Sequence, residues 1–152
     1  MPKFKIYLKS ILIPLILGGI VGFIISGNMD YNSLIQPKLA PPAILFPIVW
    51  TILYFLMGLS YAIITIYSDL DSDVKTIYYS QLIVNLIWPI IFFVMKNRLL
   101  ALIWIILLLI LITIMIVKFY KKNKVASLIQ IPYLLWTIFA TYLNFSIYLL
   151  NK

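Results

Sequence analysis

Five long apolar stretches, separated by short polar breaks, limit the possible folds of this chain more than any other feature of its sequence. Their approximate bounds are 6–26, 43–67, 76–95, 99–119 and 125–150. A helix needs about 20 mostly apolar residues to cross the hydrocarbon core of a bilayer, and each stretch is of that order. The sequence therefore predicts an all-α integral membrane protein, built as a five-transmembrane-helix bundle.

The composition agrees with a membrane protein. Charged residues make up 11% of the chain and hydrophobic residues 64%, whereas charged residues are about 25% of a typical soluble domain. The 152 residues leave room for one transmembrane domain, residues 1–152. Cysteine and histidine are absent, which removes the thiolate and imidazole metal ligands and the commonest general base. We expect no cofactor, since a permanently bound iron porphyrin would have only Tyr or Met side chains as ligands.

Positive charges are unevenly divided between the two sides of the predicted bundle. Eight lysines fall on the N-terminal side, and four Lys or Arg residues fall on the other side. Because cytoplasmic loops are enriched in Lys and Arg, this predicts a cytoplasmic N-terminus, with the first loop and the C-terminus outside. The net charge of +8 is then a topology signal and a match to anionic lipid headgroups. We expect no nucleic-acid partner.

The connection between the first two stretches, residues 27–42, is longer than the others. It contains Pro37, Pro41 and Pro42 among polar residues, and we expect it to fold over one mouth of the bundle as a lid loop. The other connections are short, which predicts that consecutive helices are antiparallel neighbours.

Small residues recur every four positions in the first stretch, at Gly18, Gly22 and Ser26. A stripe of this kind lets another helix backbone approach closely. Packing within the bundle is the favoured interpretation, and a homodimer interface is the alternative.

Aromatic and amide residues fall on one helix face of three spans, at separations near the helical period. The second span carries Phe46, Trp50, Tyr54 or Leu53, Met57 and Tyr61; the third carries Tyr78, Gln81, Asn85, Trp88 and Phe92; the fifth carries Trp136, then Phe139 or Ala140, then Leu143 or Asn144. An amide without a partner in hydrocarbon costs a few kcal/mol, so these amides should face inward and be hydrogen-bonded. We expect the three faces to line one pocket.

Three ordered motifs extend over nearly the whole chain. The first runs from Tyr31-x-x-Leu34-x-x-Pro37 through Pro41-Pro42 to Phe46-Pro47-x-Val49-Trp50-x-x-Leu53-Tyr54-x-x-Met57-Gly58. The others are Tyr78-x-x-Gln81-Leu82-x-x-Asn85-x-x-Trp88 and Pro132-Tyr133-Leu134-x-Trp136-x-x-Phe139-Ala140-x-x-Leu143-Asn144. Together they resemble the signature of the TspO/MBR family of tryptophan-rich sensory and translocator proteins, the peripheral benzodiazepine receptor family.

The resemblance implies a five-helix bundle, commonly a homodimer, here in a bacterial cell membrane, with one hydrophobic pocket below the first loop. Family members bind porphyrins such as protoporphyrin IX, sterols, and isoquinoline carboxamide and benzodiazepine drugs. The implied ligand-binding residues are Tyr31 in the lid loop, Phe46, Trp50 and Tyr54 on the second helix, Asn85 and Trp88 on the third, and Trp136, Phe139, Ala140 and Leu143 on the fifth. Asp30, Gln36 and Leu39 depart from the family's lid pattern.

The first functional hypothesis is a membrane receptor or sensor for such flat hydrophobic ligands. An alternative implied by the resemblance is an enzyme that degrades protoporphyrin IX in light, with Trp50 and Trp136 at the implicated positions. A tetrapyrrole or sterol transporter is the third hypothesis, and the lack of acidic, basic or imidazole side chains deep within the spans counts against it. A sterol-recognition pattern formed by Leu143, Tyr148 and Lys152 is better explained as interfacial anchoring.

Overall fold

The computed structural model describes residues 2–152, which form helices and the turns that join them. The helices are α1 Lys3–Ile25, α2 Leu45–Tyr67, α3 Ser72–Pro89, α4 Arg98–Lys122, α5 Lys124–Ile129 and α6 Ile131–Asn151. Two 3₁₀ turns, Ser26–Asn28 and Tyr31–Ser33, and a π-helical turn, Ile90–Val94, complete the path. Five helical units are long and apolar enough to cross a membrane: Lys3–Asn28, Leu45–Tyr67, Ser72–Val94, Arg98–Lys122 and Lys124–Asn151. The predicted all-α, five-span architecture is confirmed.

Polar residues at the breaks cap the helices that follow them. The Asp71 carboxylate accepts a hydrogen bond from Val74 N (2.9 Å) at the start of α3. Asn97 Oδ1 accepts one from Leu100 N (3.0 Å) at the start of α4, and Asn123 caps α5 in the same way. Asp and Asn suit this position because their side-chain oxygen satisfies a backbone N–H that the first helical turn leaves unpaired.

The third span differs from a continuous helix over residues 76–95. Its α-helical part ends at Pro89, which has no N–H to donate to the preceding turn. The chain continues as the π-helical turn, in which Met95 N donates to Ile90 O at 2.9 Å. This wider turn buries Phe92 and Phe93, which are 3% and 7% exposed.

The fifth span consists of two helices where the sequence suggested one over residues 125–150. α5 ends at Ile129, Gln130 lies between the helices, and α6 has Pro132 in its first turn. Proline is tolerated there because the N–H groups of a first turn have no partner within the helix.

The helices are not arranged around the bundle in chain order. α1 lies along α2, α3 along α4, and α4 along α6. The prediction that all consecutive helices are close neighbours is wrong for α2 and α3, whose backbones are not in close contact. Large side chains fill the space between them: the rings of Tyr61 and Tyr78 stack with centroids 4.2 Å apart, and Tyr54 Oη donates to Asn85 Oδ1. Because the contacting residues run in opposite order along α2 and α3, the two helices are antiparallel.

Two glycines allow α1 and α2 to approach closely. A Cβ atom at Gly58 of α2 would collide with the backbone of α1 near Ser10, and one at Gly18 of α1 would collide with the Tyr54 ring. Gly22, one turn beyond Gly18, is surrounded by open space. The small-residue stripe therefore packs within the bundle at Gly18, as favoured, but not at Gly22.

Candidate ligand-binding site

A cavity of about 570 Å³ lies between α1, α2, α3 and α6, next to the loop that follows α1. Nine of the ten residues expected from the resemblance line this cavity, namely Tyr31, Phe46, Trp50, Tyr54, Asn85, Trp88, Trp136, Ala140 and Leu143. Phe139 does not line it: its ring lies against those of Trp136 and Tyr142, at centroid distances of 5.4 and 6.1 Å. α6 therefore presents the small Ala140 to the cavity and leaves room for a ligand.

Helix α1 supplies a cavity wall that the sequence reasoning did not assign. Leu15, Gly18, Val21, Gly22 and Ile25 all line the cavity. The sequence signal for this wall is the stripe of small residues on one helix face, which by itself indicates a packing or dimer interface rather than a cavity wall.

Aromatic rings from three elements pack against one another along one side of the cavity. Phe46 makes edge contacts with Tyr31 in the lid and with Trp136 on α6, at centroid distances of 5.0 and 6.0 Å. Trp50 lies 5.8 Å from Tyr54 and 6.4 Å from Tyr133. Edge-to-face and offset arrangements are the favourable ones for aromatic pairs, so these rings hold one another in place. They give the cavity a firm aromatic wall.

A chain of hydrogen bonds forms the floor of the cavity. Tyr54 Oη donates to Asn85 Oδ1 (2.6 Å), and Asn85 Nδ2 donates to Tyr133 Oη (2.7 Å). Tyr133 Oη donates in turn to Gln81 Oε1 (2.7 Å), and Gln81 Nε2 donates to the Tyr78 carbonyl (2.8 Å). The prediction that Asn85 and Gln81 face inward and find partners is confirmed. The chain ties α2, α3 and α6 together at mid-membrane.

A second amide, Asn144, secures the opposite end of the cavity. Asn144 Oδ1 accepts from Trp88 Nε1 at 3.0 Å, and Asn144 Nδ2 donates to the backbone carbonyl of Arg98 at 2.9 Å. Asn144 is 1% exposed, and it joins α3, α4 and α6. The Trp88 indole is thereby fixed in orientation at the cavity wall.

The indole N–H of Trp136 has no acceptor within residues 2–152, although the atom is buried. By contrast, Trp104, which does not line the cavity, donates to the Val84 carbonyl at 2.8 Å. An indole nitrogen can only donate, and a buried donor without a partner is unfavourable. Trp136 lines the cavity through its ring, whereas its nitrogen is not accessible to a water-sized molecule.

The lid is held closed by its own residues. Tyr31 is 3% exposed; its hydroxyl donates to the Pro41 carbonyl at 2.7 Å, and Gln36 Nε2 donates to the Tyr31 carbonyl at 2.7 Å. Burial raises the pKa of the Tyr31 hydroxyl, so the group remains a donor at neutral pH. Gln36, a departure from the family pattern, therefore has a structural role here.

The lid is also attached to two helix ends. Both carboxylate oxygens of Asp30 lie close to Arg98 Nη2 at the start of α4, at 2.6 and 2.7 Å. Asn151 at the end of α6 pairs with the backbone of Ile35, accepting from its N–H (3.0 Å) and donating to its carbonyl (2.9 Å). Sequence reasoning missed Arg98 and Asn151 as lid contacts. The available signal was that Arg98 is the only arginine in the chain.

Metal ligands are not clustered near the cavity. No group of three or more His, Cys, Asp or Glu side chains in residues 2–152 could hold a metal ion. The lining residues offer rings, aliphatic groups, amides and hydroxyls. Such a site can bind an uncharged or weakly polar molecule through its faces and a few hydrogen bonds.

The chain is similar to known proteins over most of its length. The chain is 41% identical to the tryptophan-rich protein TspO of Chlorobaculum tepidum over 124 residues, which is 80% of this chain and 78% of that protein. It is 42% identical to the protein of the same name from Archaeoglobus fulgidus over 127 residues, 80% of this chain and 79% of that protein. The tryptophan-rich sensory protein of Cereibacter sphaeroides is 32% identical over 130 residues, 86% of this chain and 82% of that protein. The model of the TspO/MBR family matches residues 10–150, and the chain therefore belongs to this family.

Proposed function

We propose that the protein is a membrane receptor or sensor that binds protoporphyrin IX and similar flat hydrophobic molecules inside the helix bundle. The observation that carries the proposal is the aromatic-walled cavity of about 570 Å³, which is lined by Trp50, Trp88 and Trp136. Pockets for small molecules and cofactors are typically about 300–1,000 Å³ and mostly apolar with a few polar groups. A relative named as a sensory protein adds support.

The chemistry of the lining indicates which ligands suit the cavity. Flat rings can stack along Phe46 and Trp50, which both line the cavity. No lining residue carries a charge, so the carboxylates of a porphyrin must remain near the lid and the water. Sterols and isoquinoline carboxamide or benzodiazepine drugs satisfy the same requirements.

Titration with protoporphyrin IX tests the proposal. The protein in phosphatidylcholine nanodiscs should show saturable quenching of tryptophan fluorescence, and Trp50→Ala or Asn85→Ala should weaken binding by about tenfold, as expected for the loss of ~1.4 kcal/mol. Phe145→Ala, on the exposed face of α6, is the matched control and should bind as the wild type does. Quenching that never saturates, or that is equal in all variants, contradicts the proposal.

Light-dependent degradation of protoporphyrin IX by dioxygen is a second candidate function. It is favoured by the position of Trp50 and Trp136 on the same cavity. An excited porphyrin also generates oxidants without any protein, so the comparison must be made at equal occupancy. If Trp50→Phe combined with Trp136→Phe degrades the bound porphyrin as fast as the wild type, the protein is not the catalyst. Transport remains the weakest candidate because the cavity offers no ionisable relay.

We also propose that the protein is a homodimer in a bacterial cell membrane, with its N-terminus in the cytoplasm. Because the chain has no cysteine, single cysteines can report on orientation. Lys38→Cys in the lid should react with a membrane-impermeant maleimide in intact cells, and Lys5→Cys only after lysis. The reverse pattern would invert the orientation, and chemical cross-linking in the membrane would test the dimer.

A further inference from the structure

The cavity is exposed on one side only. Every lining residue of α3, of the π-helical turn and of α6 is buried or half-buried. The exposed lining residues are confined to α1, the lid and the start of α2: Gly19, Gly22, Met29, Asn32, Ile44, Pro47 and Thr51. Four of these residues belong to the two helices, namely Gly19, Gly22, Pro47 and Thr51, so the cavity reaches the bundle surface between α1 and α2 as well as at the lid.

This opening results from the way in which α1 and α2 diverge. The two helices are in close contact at Gly58 and again at Gly18, where a Cβ atom would collide with the partner helix. At Gly19 and Gly22 a Cβ atom would meet nothing within 4 Å. The contact is thus lost within one turn, and a gap lined by glycine on one side continues toward the lid.

The rim of the gap is apolar on the α2 side as well. Pro47 has no N–H, and the Thr51 hydroxyl donates to the Pro47 carbonyl at 2.6 Å. Thr51 therefore offers its methyl group to the surroundings, and Ile44 at the start of α2 is 68% exposed. Both Pro47 and Thr51 belong to a membrane-spanning segment. Acyl chains, and not water, are the surroundings that suit this rim.

The lid obstructs the route from water, although its residues Met29 and Asn32 border the cavity and are exposed. Tyr31, which is part of the lid, is almost fully buried, and the lid is attached to α4 through Asp30 and Arg98 and to α6 through Asn151. Passage from the aqueous side would require several of these hydrogen bonds to break together. Passage through the gap requires none of them to break.

We propose that the gap between Gly19 and Gly22 of α1 and Pro47 and Thr51 of α2 is a lateral entrance, through which hydrophobic ligands dissolved in the bilayer reach the cavity. The role of the gap as a ligand route rests on the proposed binding function. The lid then retains the ligand and does not need to open for each binding event.

Rates of protoporphyrin IX binding test the route. In nanodiscs, Gly22→Leu should lower the association rate constant by about tenfold, equivalent to a barrier raised by ~1.4 kcal/mol. The dissociation rate constant should fall as well, which a mere loss of cavity space at this lining residue would not cause. Gly27→Leu is the matched control: Gly27 also has open space around it but does not line the cavity. Asp30→Asn, which weakens the lid attachment, should leave both rates unchanged.

Two outcomes would overturn the lateral entrance. In the first, Gly22→Leu leaves both rates as in the wild type while Asp30→Asn accelerates them, which would assign the route to the lid. In the second, Gly22→Leu raises dissociation alone, which would make Gly22 a simple contact residue. If the wild type does not bind protoporphyrin IX at all, the proposed function fails. Photolabelling by lipid acyl chains then still tests whether the gap is open to the bilayer.

A lipid with a diazirine in the middle of its acyl chain reports on the opening without any ligand. On illumination it should label residues inside the cavity, such as Leu143, in the wild type and in Gly27→Leu. The labelling should be lost in Gly22→Leu. Labelling confined to the outer faces of the helices in every variant would show that the gap is closed to the bilayer and would overturn the proposal.

Discussion

The hydroxyl group of Tyr133 should contribute more to stability than that of any comparable buried tyrosine, and Tyr133→Phe tests this directly. Its oxygen accepts from Asn85 Nδ2 and donates to Gln81 Oε1, both at 2.7 Å. Tyr78 is the matched control, since each of the two residues is 1% exposed. The Tyr78 hydroxyl, however, has no hydrogen-bond partner within residues 2–152.

The expected cost follows from the groups left behind. Tyr133→Phe keeps the ring and its packing but removes a partner from both Asn85 and Gln81. Hydrogen bonds within membrane proteins contribute about 0.6 kcal/mol on average and up to about 1.7 kcal/mol. Loss of two such bonds should therefore lower the free energy of unfolding by about 1–3 kcal/mol. Tyr78→Phe removes no bond and should change it by less than about 0.5 kcal/mol, or increase it slightly.

Reversible unfolding in mixed micelles with increasing sodium dodecyl sulfate, followed by circular dichroism, measures both values. The double variant should show the sum of the two single effects, because the two hydroxyl groups share no hydrogen bond. The reasoning is refuted if Tyr78→Phe destabilises the protein as much as Tyr133→Phe does.

Three further predictions concern packing, ligand contact and pH. Gly58→Ala should lower the free energy of unfolding by about 1–3 kcal/mol through its collision with α1, whereas Gly19→Ala, in open space, should leave the unfolding midpoint unchanged. Phe46→Leu should weaken protoporphyrin IX binding in a fluorescence titration and Phe139→Leu should not, because only Phe46 lines the cavity. The hydrogen bond from Lys122 holds the pKa of the Asp71 carboxyl below its ordinary value of 3.8, so its stabilising effect is present above that value and is lost as the pH falls below it. The melting temperature of the wild type should therefore exceed that of Asp71→Asn, which retains the helix cap, at neutral pH, and the difference should disappear in acid.

The sequence predicted those features that depend on local periodicity. The length of the apolar stretches was enough to predict five spans, and the spacing of Trp50, Tyr54 and Asn85 was enough to predict their common side. Between Phe139 and Ala140 the helical period alone could not decide, since both fit a face that contains Trp136. The structure places Ala140 on the cavity because α6 continues along the face of Leu143 and Asn144.

Features that depend on long-range pairing were beyond the reach of the sequence. Asp30 and Arg98 are separated by 68 residues, and each has a local explanation as a loop charge or a topology signal. Helices α2 and α3 meet through stacked tyrosines rather than through their backbones, and no loop length reveals this. The break at Gln130 leaves both polar atoms of a fully buried amide without partners in the described chain, and nothing in its sequence surroundings indicates this.

The hydrogen-bond chain on the cavity floor has a direction, which gives the floor a selectivity of its own. The single proton of Tyr54 is committed to Asn85, so toward the interior space this phenol oxygen offers only its lone pairs. A guest that points a pyrrole N–H or an alcohol at Tyr54 gains a bond, whereas one that points a carbonyl there meets electrostatic repulsion. An asymmetric guest therefore has one preferred end to direct at this phenol.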